Sequence, residues 1–191
     1  MKYFKTAILI SILFLVACGA AEIESNMPED SFVADFEFTT QDEGKLSLED
    51  LKGEWWIADF IFTNCTTVCI PMTSNMVQLQ DMMAEEELDA QLISFSVDPD
   101  VDTPEVLKNY AEGYGADLSN WTFLTGYDFD TIQDLSIGSF YSDLREEPDS
   151  DQVTHGTRFY LVNPEGEIVK NYFGTQFDEI EALIEDLKKV L

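Results

Sequence analysis

The stretch Trp55–Met72 reads WWIADFIFTNCTTVCIPM and carries three signals in succession. Its first eight residues are apolar except for Asp59, which is typical of a strand buried on both faces of a parallel sheet. Two cysteines, Cys65 and Cys69, follow this run, and beyond them apolar residues recur at helical spacing. The stretch therefore predicts a buried strand, a loop with a cysteine pair, and a helix.

The residues on either side alternate between strand and helix patterns. Further strands are predicted at Phe32–Thr39, Lys45–Leu48, Gln91–Val97 and Trp121–Thr125, with a hairpin over Phe159–Tyr172. Helices are predicted at Pro71–Glu87, Pro104–Tyr110, Phe129–Ile137 and Phe177–Leu191. A cysteine pair between a buried strand and a helix is the place where thioredoxin-like proteins carry their redox cysteines. We predict an α/β fold, a thioredoxin-like mixed sheet flanked by helices on both faces.

The N-terminal residues have the pattern of an export signal. Lys2 and Lys5 precede the apolar run Ala7–Ala17, which is too short to span a bilayer of about 30 Å as a helix. The run ends in Leu15-Val16-Ala17-Cys18-Gly19, which resembles a bacterial lipoprotein processing site. We predict a lipoprotein signal peptide at residues 1–17, a lipidated tether at 18–31 beginning with Cys18, and one folded domain at 32–191.

The composition of the chain is strongly acidic. Its 191 residues include 38 Asp and Glu against 10 Lys and Arg, a formal net charge of −28. This charge argues against nucleic-acid binding, because a phosphate backbone is repelled, and against docking on anionic lipid through a basic patch. Aromatic residues make up 13% of the chain, so it is not a disordered acidic tail. With one histidine and three cysteines, any site built from these residue types uses nearly all of them.

With Cys18 assigned to the lipid anchor, Cys65 and Cys69 remain for chemistry. An exported chain meets a more oxidising compartment, so the pair can form a structural disulfide, a redox-active dithiol or a metal site. The spacing is Cys-x-x-x-Cys, and residues four apart share one face of a helix, so the two sulfurs can converge. A helix N-terminus also favours the thiolate form. Two thiolates are a soft donor set suited to Cu(I), zinc or iron–sulfur.

His155 is the one imidazole in the sequence, in a predicted loop just before the strand that starts at Phe159. A single histidine is most often a surface residue or a satisfied core residue. In thioredoxin-like folds, however, this loop faces the redox cysteines and usually carries a cis-proline, whereas here it has no proline. His155 is therefore a candidate third ligand, and a set of two cysteines and one histidine suits copper.

Three segments of the chain carry a family resemblance. They are Phe62–Met76 (FTNCTTVCIPMTSNM), Ser96–Pro99 (SVDP), and Thr154-His155 ahead of Phe159–Gly166 (FYLVNPEG). These segments resemble the Sco/SenC family, membrane-anchored thioredoxin-like copper proteins of cytochrome oxidase assembly. The resemblance covers roughly Phe32–Leu191, which is essentially the whole predicted domain.

The resemblance implies that Cys65, Cys69 and His155 are the copper ligands. Asp98 matches an acidic residue that the family keeps near the site, and we interpret it as a carboxylate that orients a ligand or holds charge near the metal. Asp98 followed by proline is also a common turn at the end of a strand. One departure from the family is Ile70, which stands where the family usually has proline directly after the second cysteine; we expect only a small change in the helix start.

The resemblance also implies a function. We expect a metallochaperone rather than an enzyme, which assists assembly of the dinuclear copper centre of cytochrome c oxidase subunit II. The protein is expected to be a monomer, anchored by lipid on the outer face of the bacterial cytoplasmic membrane. The alternative is a thiol–disulfide oxidoreductase that reduces the apo-subunit without metal, although the four-residue spacing counts against it. A thiol peroxidase needs an arginine beside its cysteine, and neither Arg145 nor Arg158 has that sequence context.

Overall fold

Nine strands and four helices follow one another in residues 23–191, the part of the chain that the computed structural model describes. The strands are β1 (Glu37–Thr40), β2 (Lys45–Ser47), β3 (Trp56–Ile61), β4 (Gln91–Ser96), β5 (Trp121–Thr125), β6 (Leu144–Glu146), β7 (Val153–His155), β8 (Arg158–Val162) and β9 (Ile168–Phe173). The helices are α1 (Cys69–Glu85), α2 (Pro104–Tyr114), α3 (Phe129–Gly138) and α4 (Phe177–Val190).

Seven of these strands form one sheet in the order β2-β1-β5-β4-β3-β8-β9. The three central strands β3, β4 and β5 are parallel, whereas β1 and β8 run antiparallel to the neighbours they join. In β3, Ile57 lies opposite Leu92 of β4 on one side and Leu161 of β8 on the other. Because β3 is paired along both edges and covered on both faces, all six of its residues are buried. The predicted mixed sheet is confirmed, and the unbroken apolar run follows from this central position.

Helices cover both faces of the sheet, as predicted. Side chains alternate along β3, so Ile57 and Ile61 pack into one apolar cluster while Phe60 packs into the other. The first cluster is covered by α1, α2 and α4, and the second by α3 together with residues that precede β1. The methionines of α1 belong to this packing, since Met72 and Met76 are fully buried. Burying each such side chain contributes roughly 1.5–3 kcal/mol to folding.

The ends of α2 follow local sequence signals. The hydroxyl of Thr103 accepts the backbone N–H of Val106 at 3.3 Å and caps the helix. The helix continues to Tyr114, four residues past the predicted end at Tyr110, and stops at Gly115, whose φ of 78° is in the left-handed region.

A two-stranded ribbon formed by β6 and β7 was not predicted. The strands pair antiparallel, with Leu144 opposite His155 and Glu146 opposite Val153. The prediction that His155 lies in a loop is therefore wrong, because it is the last residue of β7. Each strand has three residues, too few for an alternating pattern to be read from the sequence.

The predicted signal peptide at residues 1–17 and the predicted lipidation site Cys18 lie outside the described residues. Part of the predicted tether is described. The side chain of Asn26 accepts the backbone N–H of Asn171 in β9 at 2.8 Å and donates to its carbonyl at 2.9 Å. The carbonyl of Ser31 accepts the backbone N–H of Ile168 at 2.8 Å. From residue 23 onward, no helix combines the length and the apolar character needed to cross a membrane.

Candidate metal centre

The two cysteines meet at the N-terminus of α1. Cys65 lies in the loop after β3, and Cys69 is the first residue of the helix, two residues before the predicted start at Pro71. The backbone N–H of Cys69 donates to the sulfur of Cys65 at 3.3 Å. The sulfurs therefore converge because Cys65 folds back over the helix N-terminus, and not because both cysteines occupy one helical face. This geometry uses one of the N–H groups that a helix leaves free at its start.

This arrangement makes the two thiols unequal. The hydrogen bond with Cys69, with help from backbone amides, lowers the pKa of the Cys65 thiol despite its partial burial. The pKa of Cys69 is raised, because it donates to the Cys65 sulfur and is almost completely buried. Both residues are free thiols in the structure. Of the two, Cys65 is therefore the cysteine whose surroundings favour the thiolate form.

The imidazole of His155 completes the group. Its Nε2 lies 3.4 Å from the sulfur of Cys69, and its Nδ1 lies 2.8 Å from the carbonyl oxygen of Gly156. Because a carbonyl oxygen only accepts hydrogen bonds, Nδ1 carries the proton of the neutral ring, and Nε2 presents its lone pair to the cysteines. The ring of Phe62 packs edge-on against the imidazole, with 5.7 Å between the ring centroids. The tautomer and the orientation of His155 are therefore both determined by its neighbours.

The structure thus brings the three predicted ligands together. One donor atom from each of Cys65, Cys69 and His155 lies within 4.8 Å of the other two. Two sulfurs and one imidazole nitrogen at this separation form a soft, compact donor set that fits copper. A cavity of about 300 Å³ opens beside them and is lined by Cys65 and His155, so an ion or a partner can reach the donors from solvent.

Asp102 positions the cysteine loop. Its carboxylate accepts the Thr63 backbone N–H at 3.2 Å, the Thr63 hydroxyl at 2.5 Å and the Ser96 hydroxyl at 2.6 Å. The residue is fully buried, and burial raises the pKa of its carboxyl group. Because Thr63 lies two residues before Cys65, Asp102 attaches the start of the loop to the end of β4.

Asp98 lies nearby but plays a different part. Among the described residues, no hydrogen bond joins its carboxylate to Cys65, Cys69 or His155. Burial, followed by repulsion from Asp102 and other carboxylates, raises its pKa. Asp98 therefore does not orient any of the three donors through a hydrogen bond. That it holds charge near the metal stays a prediction.

The loop after Phe62 is also tied to the turn of the ribbon. The side chain of Asn64 donates to the carboxylate of Asp151 at 2.9 Å, and the side chain of Gln152 donates to the Asn64 carbonyl at 3.1 Å. These contacts join the loop that carries Cys65 to the element that carries His155. No local pattern in the sequence reveals them, because 87 and 88 residues separate the partners.

The departure at Ile70 leaves this arrangement intact. The side chain of Ile70 is 51% exposed on the first turn of α1, while Cys69 beside it is 1% exposed. The helix begins with Cys69, and Pro71 falls in its first turn, where a missing N–H costs no hydrogen bond.

Fold and site together define a class: thioredoxin-like proteins with a centre of two cysteines and one histidine. A family model for SCO1/SenC matches residues 24–191. The SCO1 protein homolog of Bacillus subtilis (strain 168) is 45% identical over 190 residues, which cover 98% of this chain and 97% of that protein. The chain belongs to the SCO1/SenC family.

Solved structures agree with this membership. A SCO1/SenC family lipoprotein from Bacillus anthracis is 45% identical, with a TM-score of 0.82 over 86% of this chain and 98% of that chain. BsSco, described as a member of the Sco family of cytochrome c oxidase assembly proteins with a disulfide switch, is 44% identical, with a TM-score of 0.78 over 86% and 97%. Copper-bound ScoI of Bradyrhizobium japonicum is 26% identical, with a TM-score of 0.68 over 84% and 99%.

Proposed function

We propose that this protein binds copper through the sulfurs of Cys65 and Cys69 and the Nε2 atom of His155. The observation that carries the proposal is the convergence of these three donor atoms within 4.8 Å at the N-terminus of α1. The copper bound in the related ScoI of Bradyrhizobium japonicum supports the choice of metal. Copper is the cargo of the protein, and it can cycle between Cu(I) and Cu(II) while two thiolates and an imidazole hold it.

Each residue of the site has its own role in binding copper. Cys65, whose thiol has the lower pKa of the pair, provides the first sulfur, and Cys69 provides the second after it releases its proton. His155 offers Nε2 without rearrangement, because the carbonyl of Gly156 holds the ring in the required tautomer. Removal of two electrons from the two thiolates by an external acceptor forms a disulfide, which no longer supplies thiolate donors, so oxidation releases the metal.

The cellular setting follows from the N-terminal sequence. We propose that residues 1–17 are a signal peptide, that Cys18 is lipidated, that residues 18–31 form a tether, and that the domain at 32–191 is held at the outer face of the cytoplasmic membrane. The sequence Leu15-Val16-Ala17-Cys18-Gly19 supports this, as does the lipoprotein nature of the Bacillus anthracis relative. In this setting the monomeric protein passes copper to the dinuclear copper centre of cytochrome c oxidase subunit II. The place of BsSco in a family of oxidase assembly proteins supports that role.

A second candidate function is thiol–disulfide exchange with the apo-subunit. Cys65 favours it, because its thiol has a lowered pKa and lines an open cavity. A low pKa provides the thiolate that attacks a disulfide, while the neighbouring Cys69 completes the exchange. The imidazole beside Cys69 is not required for this chemistry, so His155 separates the two functions.

The test is copper binding to the reduced full chain in non-ionic detergent. We expect Cu(II) to produce a thiolate-to-copper charge-transfer band and a copper electron spin resonance signal that report the sulfur and nitrogen ligands. The variants Cys65→Ala, Cys69→Ala and His155→Ala are each expected to lose this signature, whereas Cys18→Ala keeps it. Tight copper binding with an unchanged spectrum in His155→Ala contradicts the ligand set. Metal-free reduction of a disulfide substrate at equal rates in His155→Ala and the parent supports the second function instead.

A further inference from the structure

A second cavity lies behind the segment that carries His155. It has a volume of about 290 Å³ and shares no lining residue with the cavity at the cysteines. Successive residues face opposite sides along an extended segment. His155 and Thr157 accordingly line the cavity at the donors, while Gly156 and Arg158 line the second one. The two cavities are therefore separated by a single layer of extended chain.

Arg158 gives this cavity a positive charge that no carboxylate of residues 23–191 pairs with. Of the eight lysines and arginines in residues 23–191, six lie within 4.0 Å of a carboxylate, and only Lys45 and Arg158 do not. One guanidinium nitrogen of Arg158 donates to the side-chain oxygen of Asn171 at 2.6 Å, and the group lies 4.1 Å over the ring of Phe173. The guanidinium is thus held in place, while most of its five N–H donors have no hydrogen-bond partner in the described part of the chain. An unpaired arginine is notable in a chain of such acidity.

The floor of the cavity carries the hydroxyl groups of Ser142 and Tyr160. Ser142 is 4% exposed, and among the described residues its hydroxyl has no hydrogen-bond partner. Burial raises the pKa of the Tyr160 hydroxyl, and the neighbouring Ser142 hydroxyl opposes this shift. Gly156 lets these groups approach the chain, because a Cβ atom there would lie 2.1 Å from Ser142 Oγ and 3.7 Å from the Tyr160 hydroxyl. A buried hydroxyl left unsatisfied is unfavourable, and a ligand that forms a hydrogen bond with it removes this penalty.

The remaining walls limit what such a ligand can be. Met27 and Phe140 make part of the lining apolar, while Asp143 contributes a carboxylate that is paired with Arg145 at 2.7 Å. A planar carboxylate matches the fork of a guanidinium and accepts hydroxyl hydrogen bonds. A phosphate dianion is disfavoured, because Asp143 and the net charge of −28 repel its two charges about twice as strongly as the single charge of a carboxylate.

We propose that this cavity binds a small organic monocarboxylate with a short apolar body. The carboxylate lies between Arg158 and the two hydroxyl groups, and the apolar body contacts Met27 and Phe140. A volume of about 290 Å³ is at the lower limit of ligand pockets, so the ligand is a free short-chain acid or the C-terminal residue of a peptide. Binding of either ligand does not require copper, so this proposal can be tested independently of the copper site.

The test is a titration of the metal-free, isotope-labelled full chain in non-ionic detergent, followed by nuclear magnetic resonance at constant ionic strength. N-acetyl-L-leucine stands for a peptide C-terminus, isovalerate for a free acid, and N-acetyl-L-leucinamide is the uncharged match of the first. We expect saturable shifts of the backbone amides of Ser142, Gly156 and Arg158 with one or both acids, and none with the amide. Inorganic phosphate is expected to bind more weakly than either acid.

Variants separate a specific site from general attraction. Arg158→Gln is expected to weaken carboxylate binding about 10-fold or more, since it removes a charge-assisted hydrogen bond. Arg158→Lys keeps the positive charge but lacks the planar guanidinium fork, so its carboxylate affinity is expected to lie between those of the parent and Arg158→Gln. The spectrum of Arg158→Lys shows whether a loss of binding reflects a loss of the fold. Lys45→Gln removes the other unpaired cation and is expected to bind as the parent does. Equal binding of acid and amide, unchanged binding in Arg158→Gln, or tighter binding of phosphate overturns the proposal.

Discussion

Asp59 and Asp102 are two fully buried carboxylates near the donor atoms, and their surroundings differ. Asp102 accepts three hydrogen bonds from Thr63 and Ser96 and attaches the cysteine loop to the sheet. Asp59 in β3 accepts one hydrogen bond, from the Ser94 hydroxyl at 2.6 Å, and its second oxygen has no partner among the described residues. The first carboxylate positions a ligand, whereas the second is a buried acid whose charge is poorly satisfied.

Replacing Asp102 with asparagine is expected to weaken copper binding about 10-fold, the lower end of what loss of a supporting partner of a ligand costs. An amide nitrogen cannot accept the hydrogen bonds that one carboxylate oxygen accepts, so the loop start at Thr63 loses its attachment. Copper affinity is measured by competition with a chelator, and stability by urea unfolding. Asp186→Asn is the control, because Asp186 is equally buried but binds Lys170 and Lys189 between β9 and α4. If both variants lose stability and neither loses copper affinity, Asp102 has only a structural role.

Asp59 is expected to make folding depend on pH. Burial, opposed by the Ser94 hydrogen bond, raises the pKa of its carboxyl group from 3.8 to about 7. The folded state therefore binds the Asp59 proton more tightly than the unfolded state does. The stability that this tighter binding contributes is lost as pH rises from about 4 to about 7. Relative to Asp59→Asn, the parent is expected to lose up to about 4 kcal/mol across that window. Urea unfolding of both proteins at pH 4.5, 6 and 8 measures the difference, and parallel pH profiles contradict the prediction.

At the scale of elements, the ribbon of β6 and β7 delivers His155 to the cysteines. Gly156 follows β7 directly, and Ser142 precedes β6 by two residues. These two residues touch where the strands begin and end, since a Cβ on Gly156 would lie 2.1 Å from Ser142 Oγ and 3.4 Å from Ser142 Cβ. The close approach of the strands here depends on the absence of a side chain at Gly156.

Gly156→Ala is expected to lower the melting temperature and weaken copper binding, because overpacking of about 1–3 kcal/mol displaces the end of β7 and His155 with it. Ser142→Ala alone is expected to be nearly neutral, since the hydroxyl it removes has no partner in the described part of the chain. The double variant is expected to recover much of the loss, because the remaining 3.4 Å contact is close to ordinary packing. Thermal unfolding and chelator competition measure both effects. Additive losses in the double variant show that the contact with Ser142 is not the cause.

At the scale of the whole molecule, the dominant feature is the net charge of −28. The three proposed ligands are not carboxylates, so this acidity does not build the copper site. Exposed pairs such as Lys108 with Asp42 neutralise little of it, because surface ion pairs contribute roughly 0–1 kcal/mol each. The excess of like charge destabilises the compact state by self-repulsion. We interpret the acidity as adaptation of an extracellular surface to high salt or high pH.

The melting temperature is therefore expected to rise with salt. Between 0.01 M and 1 M ionic strength the screening length falls from about 30 Å to about 3 Å, which removes most repulsion between surface carboxylates. Thermal unfolding in NaCl and in KCl measures the effect. Equal rises in the two salts indicate screening, and unequal rises indicate binding of a particular cation. A melting temperature that stays constant or falls in both salts contradicts the interpretation.

Local patterns were sufficient for much of the fold and for the choice of the three proposed ligands. The run at Trp56–Ile61 predicts a buried strand because a central parallel strand needs apolar side chains on both faces. Cys65, Cys69 and His155 could be selected because so few residues of these types occur in the chain. The ribbon, the part played by Asp102 and the contact of Asn64 with Asp151 could not be predicted, because they depend on pairings between segments far apart in the sequence.

The sequence by itself determined the order of the elements, the apolar faces that assemble the sheet and its helices, and the chemical types of the three donors. Periodicity and residue type are properties of the local sequence, so they can be recognised without knowledge of the fold. Only the tertiary structure decided that Cys65 folds back over the start of α1, that its thiol has the lower pKa of the pair, and that His155 presents Nε2 to the sulfurs. These features depend on distances of a few ångströms between residues up to 90 positions apart, and only packing of the whole domain determines such distances.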